Sequence, residues 1–255
     1  MEVHHHSHTA RKKWTHYFWE FLMLFLAVFC GFLAEYQLEH TIEHQRAKVY
    51  AKGMVENLES DTTELKEIII RGEFAKNYLD SFLTLITAKD FNQIPTGKLY
   101  FYGLWGGYLR GFEPNDATFQ QMKNSGSIRY FKNRELEQTI GKYDQILRSM
   151  RRLQDFDQFI QLEIRKVRAK IFDFHFNDQA NRVVQQHVYR NFNQEAIDSF
   201  MLTNPPLLTQ DKIVINEYAE LCRSRSLRQQ LNNSIQALNL AKEIIVMLKE
   251  EFHLK

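Results

Sequence analysis

Hydrophobic residues follow two different rules along this chain. From Phe21 to Ala34 they are continuous, with no charged or strongly polar side chain among them. After that they recur at steps of three and four, the spacing of one buried face on an α-helix. The first rule predicts a helix surrounded by apolar material. The second predicts a water-soluble body of packed helices.

The continuous run alone is short for a bilayer, which takes about 20 residues. Aromatic flanks lengthen it. Trp14, Tyr17, Phe18 and Trp19 precede it and Tyr36 follows it, where interfacial aromatics belong. At ~1.5 Å per residue, residues 14–36 reach roughly 35 Å, against a hydrocarbon layer of ~30 Å. We therefore expect a transmembrane helix over 14–36, anchored to the bilayer by Trp14, Trp19, Glu20 and Tyr36. Glu20 is the misfit in this segment. It is expected either at the headgroups or facing a partner within the membrane, because a carboxylate at mid-bilayer costs about 2.5–3.5 kcal/mol. Processing as a signal peptide fits less well, since Phe32 stands two positions before Ala34 and Phe29 two before Gly31, where cleavage wants small residues. An in-plane amphipathic helix would need a polar face that this segment does not have.

The soluble part begins with residues 37–86, read as one long helix or two in line. Val55, Leu58, Thr62, Leu65 and Ile69 form the inward face, and Glu56, Glu59, Asp61, Glu64 and Lys66 the outer ones. Residues 35–52 hold no Pro and no Gly, so the helix is expected to leave the membrane unbroken as a stalk. The stretch 90–116 is irregular. It concentrates Pro95, Gly97, Gly103, Gly106, Gly107, Gly111 and Pro114, which are helix breakers. A short helix follows, with Thr118 and Gln121 spaced as a capping box and Gly126 as its left-handed stop. Asn133 suits the N-cap of the next helix. That helix carries the longest stripe in the chain, from Leu136 through Ile140, Tyr143, Phe156, Ile164 and Ile171 to Phe174. Asp178 to Phe200 reads as one or two shorter helices with Asn193 as a cap. Asn204-Pro205-Pro206 ends them, and a final helix is expected from about Asp211 to Leu254. The fold class is therefore all-α: one N-terminal transmembrane helix followed by an elongated bundle of long amphipathic helices. Its domains are a cytoplasmic His/basic tail (1–13), the span (14–36) and a helical body (37–255).

Charge adds an orientation. Arg11, Lys12 and Lys13 stand directly before the span, whereas Glu35, Glu39 and Glu43 come first on the other side. Cytoplasmic flanks carry the Lys/Arg excess. The N-terminus is thus expected in the cytoplasm and the body in the periplasm, as a single-pass protein of the inner membrane. The formal net charge is only +2, so nothing advertises a nucleic-acid partner. The expected partners are the lipid bilayer and a protein partner, or a second copy bound through the helices.

Candidate chemistry is sparse. His4, His5, His6 and His8 are a weak possibility for a divalent metal; otherwise no metal or cofactor is expected. The aromatic residues of the irregular stretch, Tyr100, Tyr102, Trp105, Tyr108 and Phe112, either line a ligand site or plug the end of the bundle. His175 and His187 are too far apart to act as neighbouring helical ligands. There is no H-E-x-x-H, CxxC, G-x-S-x-G or P-loop, and no catalytic residue is nominated. Two cysteines, Cys30 and Cys222, do not make a disulfide framework; Cys222 reads as a small buried helix residue.

The opening MEVHHHSH…KKW…YFWEFLMLFLAVFCGFLAEYQLEH and the later ATFQQMKNSGSIRYFKNRELEQTIGKYD resemble a family of uncharacterised membrane proteins from Bacteroidota. The resemblance implies a single-pass inner-membrane protein with a helical body, and carries no known activity. Two functions remain open from the residues. One is a membrane-anchored helical scaffold or interaction subunit, and not an enzyme. The other is a ligand-sensing bundle that signals through a partner.

Overall fold

The computed structural model describes residues 14–88, 93–107, 111–185 and 193–254. The histidines of the tail, the basic flank 11–13, Tyr108 and His187 lie outside them. The described residues form eight α-helices and no strand, apart from an isolated antiparallel bridge between Phe172 and Leu207.

The first helix, α1, runs without a break over Trp14–Ile86, 73 residues or about 110 Å at ~1.5 Å per residue. Of the two readings for 37–86, the single helix is the one found. Its environment changes along its length. Within 14–46 only Leu22 and Glu43 are even half-buried. From Ala47 onward it enters the body and buries Ala51, Met54, Val55, Leu58, Leu65 and Ile68, then Ala75, Leu79 and Phe82.

The body packs around this upper part as two cores stacked along the α1 axis. The first combines α1 with α3 (Ala117–Ser125), the first half of α4 (Arg134–Ile171) and α8 (Leu227–Phe252). Alanines face inward on both long neighbours, Ala47 and Ala51 on α1 and Ala237 and Ala241 on α8, each at 0% exposure. Small side chains let the two helix backbones approach closely. The second core combines α1 with α2 (Thr96–Gly103), the second half of α4, α5 (Phe174–Gln185) and α7 (Lys212–Arg223). The short α6 (Gln194–Met201) closes against α2.

Local signals explain most boundaries. Gly126 ends α3 with φ of 68°, a conformation that glycine adopts without a Cβ penalty. The Asn133 side chain accepts hydrogen bonds from the N–H groups of Glu135 and Leu136 at the start of α4, and Asn193 does the same for Ala196 in α6.

Five expectations need correction. The capping box on Thr118 is absent: the N-cap lies two residues earlier, at Asp116, and has no side-chain cap bond. Residues 90–116 are not wholly irregular, because α2 and a 3₁₀ turn at Leu104–Gly107 lie within them. The final helix is two helices, broken at Ser224-Arg225-Ser226. The α4 stripe stops at Ile171; Phe156 is 52% exposed and Phe174 82%. Asp61, assigned to an outer face of α1, is 3% exposed. Two of these departures coincide with polar side chains that found partners inside the body: Asp61 with Tyr143, and Arg225 at the helix break with Asp157.

Candidate functional site

The apolar part of α1 is long and hydrophobic enough to cross a membrane, and none of its most apolar stretch is buried against the rest of the protein. Trp14, Trp19 and Tyr36 are all exposed on it. Glu20 is not isolated on this surface. His16, one turn earlier, brings Nε2 to 3.3 Å from Glu20 Oε1. The sequence analysis missed His16, although the i, i+4 spacing that pairs helical side chains was there to see.

The aromatic residues of the 90–116 stretch are divided between the two cores. Tyr100 is 0% and Trp105 2% exposed, and both belong to the second core. Tyr78 of α1 is their hub, with ring centroids 5.0 Å from Trp105, 5.3 Å from Phe101 and 5.8 Å from Tyr102. The Tyr100 hydroxyl donates to Pro206 O at 2.7 Å and accepts from the Asp173 N–H at 2.9 Å. It thereby ties α2 to the diproline turn and to the end of α4. Gly106 is required here by close approach: a Cβ would stand 2.5 Å from Cys222 Sγ and 2.8 Å from Tyr218 Oη. Phe112 packs in the first core. So the described members of this set are split between the two cores, and Phe112 borders the cavity at their seam.

That cavity lies at the seam between the two cores. It holds about 180 Å3 between α1, α4 and the start of α8. Ile68, Met150 and Leu231 supply apolar wall, and Gln154, Gln161 and Gln230 supply side-chain amides. The Gln154 amide lies against the backbone of Gly111, where a Cβ would come within 2.1 Å of its Nε2.

A buried ion pair closes the inner side of the seam. Arg225 Nε donates to Asp157 Oδ1 at 3.0 Å, and a terminal guanidinium nitrogen donates to Oδ2 at 2.5 Å. The two side chains are 0% and 3% exposed. Arg225 also donates to Gly106 O at 2.7 Å, and the Gln161 amide donates to Asp157 Oδ2 at 2.8 Å. Desolvating two charges is costly unless their remaining hydrogen-bonding capacity is met, and this network meets it. Arg225 sits at the break between α7 and α8, so the same network fixes that corner to α4 and to the 3₁₀ turn. Sequence patterning gave no sign of it, because Asp157 sits one residue after Phe156 in an otherwise regular stripe.

Further buried polar groups stand outside the seam. Asp61 accepts from the Asn115 N–H at 2.8 Å and from Tyr143 Oη at 2.9 Å. Burial raises its carboxyl above the ordinary range despite these donors. Tyr143 is raised too, by burial first and then by the Asp61 charge. Burial also pushes the Cys222 thiol up to about 12. Among the described residues no cluster of three or more His, Cys, Asp or Glu is arranged to hold a metal ion.

Comparison with family models, curated proteins and solved structures returns no match for this chain.

Proposed function

We propose that this protein is a membrane-anchored helical scaffold or interaction subunit, not an enzyme. The observation that carries the reading is the continuity of α1. One uninterrupted helix is exposed and apolar at its start and becomes the central element of both cores further on. A body joined in this way does not swing on a flexible linker; it is held at a set height and direction above the bilayer. The basic flank Arg11-Lys12-Lys13 and the acidic Glu35, Glu39 and Glu43 support a cytoplasmic N-terminus and a periplasmic body. The Bacteroidota-like opening supports the inner membrane. Phe156, Phe159 and Leu162, exposed on α4 by 52%, 72% and 53%, supply an apolar face for contact with a protein partner or a second copy.

The test is the state of the protein after gentle extraction. Solubilised in mild detergent, the full chain should run as a homo-oligomer or retain a stoichiometric partner, with its mass read by light scattering. A bare monomer with nothing bound would overturn the proposal.

A further inference from the structure

We propose that two copies of this chain pair side by side through α1, in a parallel coiled coil that begins inside the bilayer and continues up the stalk. The inference rests on the reading of residues 14–36 as a membrane span.

The stalk selects the face. Within 37–50 the exposed apolar residues are Leu38, Ile42 and Val49, at 61%, 39% and 71% exposure. At 3.6 residues per turn they fall on one side of the helix. Ala47, Ala51, Met54 and Leu58, which the body buries, fall on the opposite side. The body therefore leaves this ridge open along its length. Lipid does not cover it either. Val49 stands about 20 Å beyond Tyr36 at ~1.5 Å per residue, whereas the headgroup layer is roughly 5–8 Å deep.

Register ties the ridge to the span. Counting back from Val49 by sevens meets Ile42, Glu35, Val28 and Phe21, and from Leu38 it meets Gly31, Leu24 and Tyr17. The two sets interleave at steps of three and four, the heptad spacing of a coiled coil. The span is apolar on every side, so it does not choose the face by itself. It carries the register onward without a polar interruption below Glu35.

Side-chain shape selects the partner. Val28, Ile42 and Val49 are β-branched and share one core set; Leu24 and Leu38 share the other. That division favours two parallel strands. A second copy inserted in the same membrane has the same orientation, so its α1 necessarily runs parallel. Flanking charges raise no objection. A parallel pair sets Thr41 opposite Arg46 and Lys48 opposite Gly53, and no like charges meet. Glu35 is the exception within the core. Its two copies face each other beside Tyr36, at the level of the headgroups, where water solvates them. A polar residue at such a position lowers stability and fixes the register.

Cysteine crosslinking in isolated membranes tests the pairing, with the full chain in a Cys30→Ser background. Ile42→Cys and Val49→Cys should each give several times more disulfide dimer than His40→Cys, which lies on the far side of the stalk. Val49→Glu places like charges in the core and should weaken the dimer roughly tenfold. Glu35→Leu removes such a pair and should tighten it. Equal crosslinking at all three positions, or none, overturns the inference. So does a dimer that Val49→Glu and Glu35→Leu leave unchanged. The scaffold reading fails separately. In mild detergent, one chain that retains another protein overturns the pairing but leaves the scaffold standing, and a bare monomer overturns both. Recovery of the chain in the soluble fraction would overturn the span and the pairing with it.

Discussion

Arg225 and Asp157 grip each other through two hydrogen bonds at the level where two hydrophobic cores meet, with their side chains out of reach of solvent. The pair fixes the corner between α7 and α8 to the middle of α4. Removing one partner leaves a buried charge uncompensated, at a cost of about 3–5 kcal/mol. Asp157→Ala should therefore lower the thermal midpoint sharply in detergent-solubilised protein. Arg225→Lys should also destabilise, because a point charge cannot reproduce the guanidinium fork. The double variant Asp157→Leu/Arg225→Met should recover much of the loss. Additive losses across Asp157→Leu, Arg225→Met and the double variant would show that the pair is not coupled.

Tyr100 makes a packing prediction distinct from its hydrogen bonds. Tyr100→Phe keeps the ring in the second core but removes the link from Pro206 O to the Asp173 N–H. It should cost about 1–3 kcal/mol. Tyr100→Ala also leaves a cavity and should cost about 3–5 kcal/mol. Denaturant melts that give the two variants the same midpoint would contradict the contacts described.

The Asp61 carboxyl is raised in the folded state by burial. A carboxyl raised above its unfolded value supports the fold while protonated, and that support is lost as pH rises through the folded value. Relative to wild type, Asp61→Asn should therefore gain stability as pH goes from 4 to 7. Melts across that range check the sign, and a difference that shrinks with pH would refute the assignment.

Cys222 is 1% exposed, and its thiol is pushed up to about 12. An unfolded cysteine ionises near ~8.5. The contribution of this group to stability is thus complete below ~8.5 and is lost as pH rises from there towards about 12. At pH 8 the folded protein should leave Cys222 unmodified by iodoacetamide, whereas denatured protein should be alkylated there. Mass spectrometry of the Cys222 peptide decides it, and rapid labelling of native protein would place the thiol elsewhere.

Topology is the first thing to establish in cells. With an epitope tag after Lys255, protease added to spheroplasts should remove the tag while a cytoplasmic control survives. Protection until lysis would put the body in the cytosol and reverse the orientation drawn from charge.

The parts of this protein that were legible in the sequence are those governed by neighbours along the chain. An unbroken apolar run, the three-and-four stripe of α4, the left-handed glycine at 126 and the asparagine caps at 133 and 193 are local physics. Each appears as expected, except that the α4 stripe stops at Ile171 and leaves Phe156 and Phe174 exposed. Patterning failed where a polar residue was bought a place inside by a distant partner. Asp61 is paired across 82 residues with Tyr143, and Asp157 across 68 with Arg225. Neither separation leaves a periodic trace. The candidate cavity was hidden for the same reason, because its wall comes from three helices and a loop that meet only once folded.

Sequence alone determined that the chain is helical, that its start is fit for lipid and that long amphipathic faces must pack, since burial of apolar surface is additive along each helix. Tertiary structure alone decided that the body has two cores with a polar seam, that the last helix breaks at Arg225 and that the aromatic stretch is divided between the cores. Those outcomes depend on which side chains meet across space, and a desolvated charge or amide settles only where its partner happens to arrive.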